Sequence, residues 1–236
     1  MKLMVVETLA GAAVAGGALA YAVRSPRSSL LAPSVYRGTS ARRSIALTFD
    51  DGPSESTPAL LEILEQNNAR ATFFQCGANV RRLPNISRSV AESGHEIGNH
   101  TDSHPLFPFR SPQFILAEIE AAQQSIQQAS GATPRLFRAP FGVRWFGMRA
   151  AQRKLGLTGV MWTVIGLDWK LQENEIAERL IDQTGAGGIV CLHDGRAIGA
   201  KPDITATLGA MRCVLPRWID QGFTFETVSQ ILCPTN

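Results

Sequence analysis

Ser44-Ile45-Ala46-Leu47-Thr48-Phe49-Asp50-Asp51-Gly52-Pro53 begins as an apolar β-type run and ends on two adjacent carboxylates and a turn dipeptide. The run over Ser44–Phe49 predicts a strand, and Gly52-Pro53 turns the chain away from it. Consecutive side chains in extended backbone point to opposite sides, so Asp50 and Asp51 suit two different roles. One carboxylate can bind a metal ion while the other faces a substrate. The stretch Gly94-His95-Glu96-Ile97-Gly98-Asn99-His100-Thr101-Asp102-Ser103-His104 holds three of the four histidines. His95 precedes the strand predicted over Glu96–Asn99 and reads as structural. His100 and His104 follow it, and their spacing predicts two rings one helical turn apart, within reach of one ion. Two carboxylates and two imidazoles make a ligand set for a divalent metal of the zinc type, with one carboxylate left over. A spare carboxylate beside a metal is what a hydrolase uses to activate water.

Outward from these two stretches, β-type runs alternate with helical patterns. Further strands are predicted at Ala71–Phe74, Leu136–Arg138, Gly159–Val164, Gly188–Leu192 and Phe223–Phe225. Helices are predicted at Thr57–Gln66, Ile86–Ser93, Pro112–Ser130, Met148–Leu155, Glu173–Gln183 and Asp203–Gln221. Gly94 and Gly131 follow two of them as C-terminal stops. Alternation at this spacing implies a parallel sheet. The expected fold is α/β, a single distorted (β/α) barrel of about seven parallel strands. The polar motifs all fall just after strands, which in such a barrel is the C-terminal face where active sites are built. That rim would gather Asp50, His100, Arg138, Asp168 and His193 from distant parts of the chain.

The 236 residues are 44% hydrophobic and 18% charged, which suits a large buried core. Six cationic side chains against Glu7 give the first 43 residues a charge of +5, so the total of +3 leaves −2 for the remainder. The folded part therefore lacks the electrostatic footprint of a nucleic-acid binder. Leu9–Val23 is an uncharged, Ala/Gly-rich stretch after Lys2, with Ala18-Leu19-Ala20 as a cleavage site. Residues 1–24 read as a signal peptide or an N-terminal membrane anchor, 25–43 as a flexible linker, and 44–236 as the catalytic domain. Either reading of the N-terminus exports the domain to the periplasm, cell envelope or medium. None of Cys76, Cys191, Cys213 and Cys233 forms a CxxC pair, so a cysteine zinc site is not expected. Cys191 reads as a small core residue, and Cys213 with Cys233 is the pair to consider for a disulfide.

The Thr48-Phe49-Asp50-Asp51-Gly52-Pro53 and His100-Thr101-Asp102-Ser103-His104 motifs resemble those of the polysaccharide deacetylase family, the NodB-homology domain of carbohydrate esterase family 4. Three later stretches resemble further motifs of that family, in family order. They are Arg138-Ala139-Pro140-Phe141-Gly142, Asp168-Trp169 and Leu192-His193-Asp194. The similarity covers residues 44 to about 228, and it implies the NodB-type barrel. It implies that Asp51, His100 and His104 hold the metal, zinc first, with cobalt or nickel as alternatives. It implies that Asp50 is the general base, that Arg138 pairs with and orients it, and that His193 is the general acid, held by Asp168. The backbone N–H of Phe141 would stabilise the oxyanion, and Trp169 and Leu192 would wall a pocket for the acetyl methyl. Two departures stand out. Ile165 replaces the first acid of the family's Asp-x-x-Asp-Trp motif, which touches substrate-side contacts more than chemistry. Phe141 replaces the commoner Tyr, where only the backbone is used.

The resulting expectation is a metal-dependent hydrolase removing N- or O-linked acetyl groups from a glycan such as chitin oligomers, peptidoglycan or acetylated xylan. A non-catalytic carbohydrate-binding relative and a small-molecule amide or imide hydrolase remain as alternatives. Expected partners are the acetylated glycan and, through the N-terminal segment, a membrane. No nucleic acid is expected, and the chain is read as a monomer.

Overall fold

The computed structural model describes residues 16–233. Its centre is the quoted stretch. Strand β2 (Ser44–Gly52) is buried at every residue and lies between β3 (Ala71–Gln75) and β8 (Gly188–His193), parallel to both. Alternation along β2 serves two layers. Ile45, Leu47 and Phe49 face an outer core shared with Leu60 and Leu64 of α2 (Thr57–Gln66) and Leu180 of α7 (Glu173–Gln183). Met211 and Leu215 of α8 (Thr205–Asp220) join the same layer. Ala46 faces the opposite way, into an inner layer with Phe74 and Ile189. Each large apolar side chain so buried contributes about 1.5–3 kcal/mol.

The remaining elements are β1 (Ser34–Val35), α3 (Gly77–Arg82), α4 (Pro84–Glu92), β4 (Glu96–Asn99), α5 (Pro112–Ser130) and β5 (Leu136–Phe137). They continue with α6 (Met148–Leu155), β6 (Thr158–Val160), β7 (Val164–Ile165), β9 (Thr224–Phe225) and α9 (Val228–Leu232). All recorded strand pairs are parallel, in the order β1-β6-β5-β4-β3-β2-β8-β7, with β9 on β2. Among the described residues nine strands replace the expected seven, because β1 is added and the run Gly159–Val164 is divided into β6 and β7. Residues 161–163 carry the chain from β6, next to the β1 edge of the sheet, to β7 at the opposite edge. The carbonyls of Val160 and Met161 at this gap accept from Arg138 Nε and Nη2, both at 3.2 Å. A side chain thus replaces ladder bonds where the barrel does not close.

The sheet curls enough to bring Asp50, on β2, to 2.7 Å from Arg138, just after β5, although β3 and β4 lie between those strands. Local signals explain the helix ends. Ser111 accepts from Phe114 N at the start of α5, Pro112 follows it, and left-handed Gly131 closes the helix.

Residues 25–43, read from sequence as a flexible linker, run along the domain. β1 pairs with β6, and Met161 N donates to Val35 O at 2.7 Å. The guanidinium of Arg144, 1% exposed, donates to the carbonyls of Ser25 and Ser28. Arg37 and Arg42 bind Ala186 O and Glu226. Two arginines that suggested a solvated tether, Arg37 and Arg42, are among its anchors. Residues 16–24 are helical (α1), while the first part of the apolar stretch from Leu9 lies outside the described residues. Among the described residues no helix is long and apolar enough to cross a membrane.

Candidate active site

Three loops at the C-terminal ends of β2, β4 and β8 build the first half of the site. Asp51 leaves β2 with a left-handed backbone (φ 71°) that turns its carboxylate inward. His100 and His104 follow β4 on a loop rather than on the expected helical turn. Thr101 and His104, at φ 70° and 56°, wind that loop tightly enough to set the rings 5.0 Å apart. Asp51 Oδ1 lies 3.3 Å from His100 Nε2 and 3.0 Å from His104 Nε2. His100 Nδ1 is 2.8 Å from Arg138 O, a pure acceptor, so Nδ1 carries the proton and Nε2 offers a lone pair. Asp51 Oδ1 is buried with no hydrogen-bond partner. A ring of donor atoms around an orphaned carboxylate oxygen fits a divalent cation.

Asp51 Oδ2 is fixed separately by Ala197 N at 2.7 Å. The loop after β8 can approach this closely because residue 195 is glycine. A Cβ there would lie 2.2 Å from Asp51 O. Asn79 ties the same two loops by donating to Asp51 O and Ala197 O. Of the eight described non-glycine residues at positive φ, Asp51, Thr101, His104, Phe141, Leu167 and Ala197 belong to the loops around this cavity. Each such residue costs about 1–3 kcal/mol, which the packed sheet beneath must offset.

Asp50 lies on the other side of β2. Its Oδ1 accepts from Arg138 Nη1 at 2.7 Å, and the same nitrogen donates to Thr48 Oγ1 at 2.6 Å. Arg138 is buried over the Phe74 ring, 4.2 Å from its centroid. With both guanidinium edges occupied, the arginine has one geometry, and it aims Asp50 Oδ2 into the cavity.

Across the cavity, His193 Nδ1 lies 2.8 Å from Asp168 Oδ1, and Asp168 Oδ2 accepts from His193 N and Thr207 Oγ1. Burial opposes the imidazolium, but the bond to Asp168, its charge, and those of Asp51 and Asp50 carry the His193 pKa up to about 8. Burial likewise opposes the Asp168 anion, while His193 and Thr207 hold its pKa below the ordinary value. His95, by contrast, lies outside the site. It accepts from Ala71 N, and burial, with Arg70 nearby, pushes its pKa down to about 4.

The cavity has a volume of about 480 Å³. Trp169 stands edge-on to His193 at 5.2 Å, and Phe141 edge-on to His104 at 4.6 Å, both in its wall. Leu192 does not line it. Alternation along β8 sends Leu192 into the outer core and Cys191 and His193 to the cavity. Ile165 and Trp162 complete the apolar wall, and Arg24 and Arg196 also line the cavity. Asp194, named from sequence only as part of its motif, packs its carboxylate over Gly52 and accepts from Thr57 Oγ1 at 2.6 Å. Burial raises its pKa to about 7. Thr207, Asn79 and the Ala197 N–H carry no sequence signal as site groups, since each acts through a neighbour. Cys213 and Cys233 are free.

The family model for polysaccharide deacetylase matches residues 37–160. The chain belongs to the polysaccharide deacetylase family. It is 37% identical to the chitooligosaccharide deacetylase of Azorhizobium caulinodans, over 80% of this chain and 95% of the relative. It is 31% identical to the Listeria monocytogenes peptidoglycan-N-acetylglucosamine deacetylase PgdA, over 86% of this chain but 42% of that longer protein. Among solved structures it resembles a mutant of a Bacillus anthracis CE4-family pseudoenzyme with restored enzymatic activity. The TM-score is 0.77 and the identity 26%, over 86% of this chain and 72% of the other. The curled parallel sheet is thus that of the polysaccharide deacetylase family.

Proposed function

We propose that this chain is a zinc-dependent hydrolase that removes N-linked acetyl groups from N-acetylglucosamine units of a glycan. Membership of the polysaccharide deacetylase family makes it a polysaccharide deacetylase. The chemistry follows from one observation above all: Asp50 and His193, on neighbouring strands, converge within 4.8 Å beside the Asp51–His100–His104 trio. Asp51, His100 and His104 would hold a divalent metal, which would supply Lewis acidity at the acetyl carbonyl and lower the pKa of water there. Asp50, oriented by Arg138, accepts the proton of that water. The Phe141 N–H, on its left-handed turn, donates to the oxyanion of the tetrahedral intermediate. His193, protonated against Asp168, delivers a proton to the departing amine. Trp169, Trp162 and Ile165 provide apolar surface for the acetyl methyl and keep bulk water away.

The choice of N-acetylglucosamine rests on the substrates named in the two relatives above. The non-catalytic alternative requires loss of a ligand, base or acid, and each of these groups is in place. Export through the N-terminal segment belongs to the same proposal, because glycans of this kind lie outside the cytosol. Acetate release from chitin oligomers, peptidoglycan and acetylated xylan by metal-reconstituted protein tests the reading. Release from the two N-acetylated glycans supports it, and release from xylan alone contradicts the N-acetyl assignment.

A further inference from the structure

The cavity holds a second convergence of ligand atoms that the deacetylation chemistry does not use. Asp50 and His193 are register partners on β2 and β8, and Cys191 sits two residues before His193 on the same face. One ligand atom from each of Asp50, Cys191 and His193 lies within 4.8 Å of the others, and all three line the cavity. The free valences agree. Arg138 occupies Asp50 Oδ1, so Oδ2 faces the interior, where the Cys191 thiol donates to it at 3.5 Å. Asp168 occupies His193 Nδ1, so Nε2 is the nitrogen left to bind. We propose that Asp50, Cys191 and His193 form a second, inhibitory site for a thiophilic divalent ion, zinc in excess or cadmium.

A carboxylate, a thiolate and an imidazole favour zinc or cadmium over magnesium or calcium. The sulfur separates this site chemically from the Asp51–His100–His104 trio, which offers only oxygen and nitrogen. Burial first, and then the Asp50 charge, push the Cys191 thiol well above its ordinary pKa. Without an ion it is therefore a neutral thiol and a poor nucleophile. Binding forms one metal–sulfur bond and releases the thiol proton to solvent, with no change of oxidation state. An ion so placed occupies both the proposed base and the proposed acid, so it blocks turnover while leaving the first metal in place. The inhibition rests on the deacetylase reading; the binding itself does not.

The test uses protein carrying Cys213→Ser and Cys233→Ser, which removes the two thiols that are not buried. It is loaded with one equivalent of zinc and titrated with cadmium. The site predicts a second bound equivalent, an ultraviolet thiolate-to-cadmium band that saturates with it, and acetate release that falls in step. Cys191→Ser, or Cys191→Ala should the serine variant not fold, should keep the first equivalent, lose the band and need at least tenfold more cadmium for the same inhibition. No second equivalent and no band in the parent overturns the site, and so does a band or an inhibition that survives both variants. Acetate release before cadmium is added reports on the deacetylase reading separately.

Discussion

The two sides of the cavity are built on opposite principles. On the Asp168–His193 side both carboxylate oxygens of Asp168 have hydrogen-bond partners. Asp168 accepts from the imidazole, a backbone N–H and Thr207, and a proton sits at the centre. On the Asp51–His100–His104 side donor atoms face one another, and buried Asp51 Oδ1 and His104 Nδ1 have no partner. An unpaired buried oxygen costs about 1–3 kcal/mol, more for a charge, so the arrangement is completed only by a cation from outside. The acid side is self-sufficient, and the ligand side is built for something it does not itself contain.

That contrast sets the order of expected effects. Chelation should abolish acetate release to the uncatalysed background, and zinc or cobalt should restore it. His100→Ala should lose both activity and stoichiometric metal, read by metal analysis. If His100→Ala still binds one tight equivalent, the ligand side has been misassigned. Asp50→Asn comes next, because it removes the proposed base and leaves the trio whole. It should cost on the order of 10²–10⁴ in kcat with metal content unchanged.

The acid side should answer to pH instead of to metal. With His193 raised to about 8, kcat/KM should fall on the alkaline side near that value. Asp168→Asn removes a charge-assisted bond of about 1.5–3 kcal/mol and should move this limb down by about 1–2 pH units. Stability has the matching sign. A folded pKa of about 8 against an ordinary 6.5 means the imidazolium stabilises the fold fully below about pH 6.5 and loses that contribution as pH rises through about 8. Melting curves of chelated wild type and His193→Gln should therefore converge over that window. The smallest effect sharpens the comparison by leaving the Asp51–His100–His104 trio and the Asp168–His193 pair intact, although Arg24 leaves the cavity rim. Protein starting at Arg43 loses β1 and the carbonyls that hold Arg144, so it should be less stable than protein starting at Tyr21 by about 1–3 kcal/mol. Both should bind one metal, as equilibrium unfolding and metal analysis can show.

What was legible in the sequence was whatever acts through its own side chain at a strand end. Asp50, Asp51, His100, His104, Arg138, Asp168 and His193 are short-range facts of this kind, and the structure gathers all of them in one place. Leu192 was misplaced because a motif names neighbours without saying which face of β8 each one takes. The His100–His104 spacing brought the right residues together for the wrong reason, since left-handed Thr101 and His104 are invisible to a helical-period argument. The run 159–164 carries no proline and no charge, and Thr163 is its one polar side chain, so nothing in it marks the passage from β6 to β7 at the far edge of the sheet. Ala197 acts through a backbone N–H, and residues 25–43 through carbonyls paired with distant arginines. Composition carries neither.

The assignment of Asp50 as the base of a metal-completed deacetylase can be tested on its own. The direct measurement is acetate release from a chitin oligosaccharide by wild-type and Asp50→Asn proteins shown to hold equal zinc. Release with equimolar free amine is expected from the wild type, and a rate lower by on the order of 10²–10⁴ from the variant. Equal rates from the two, at equal metal content, would contradict it.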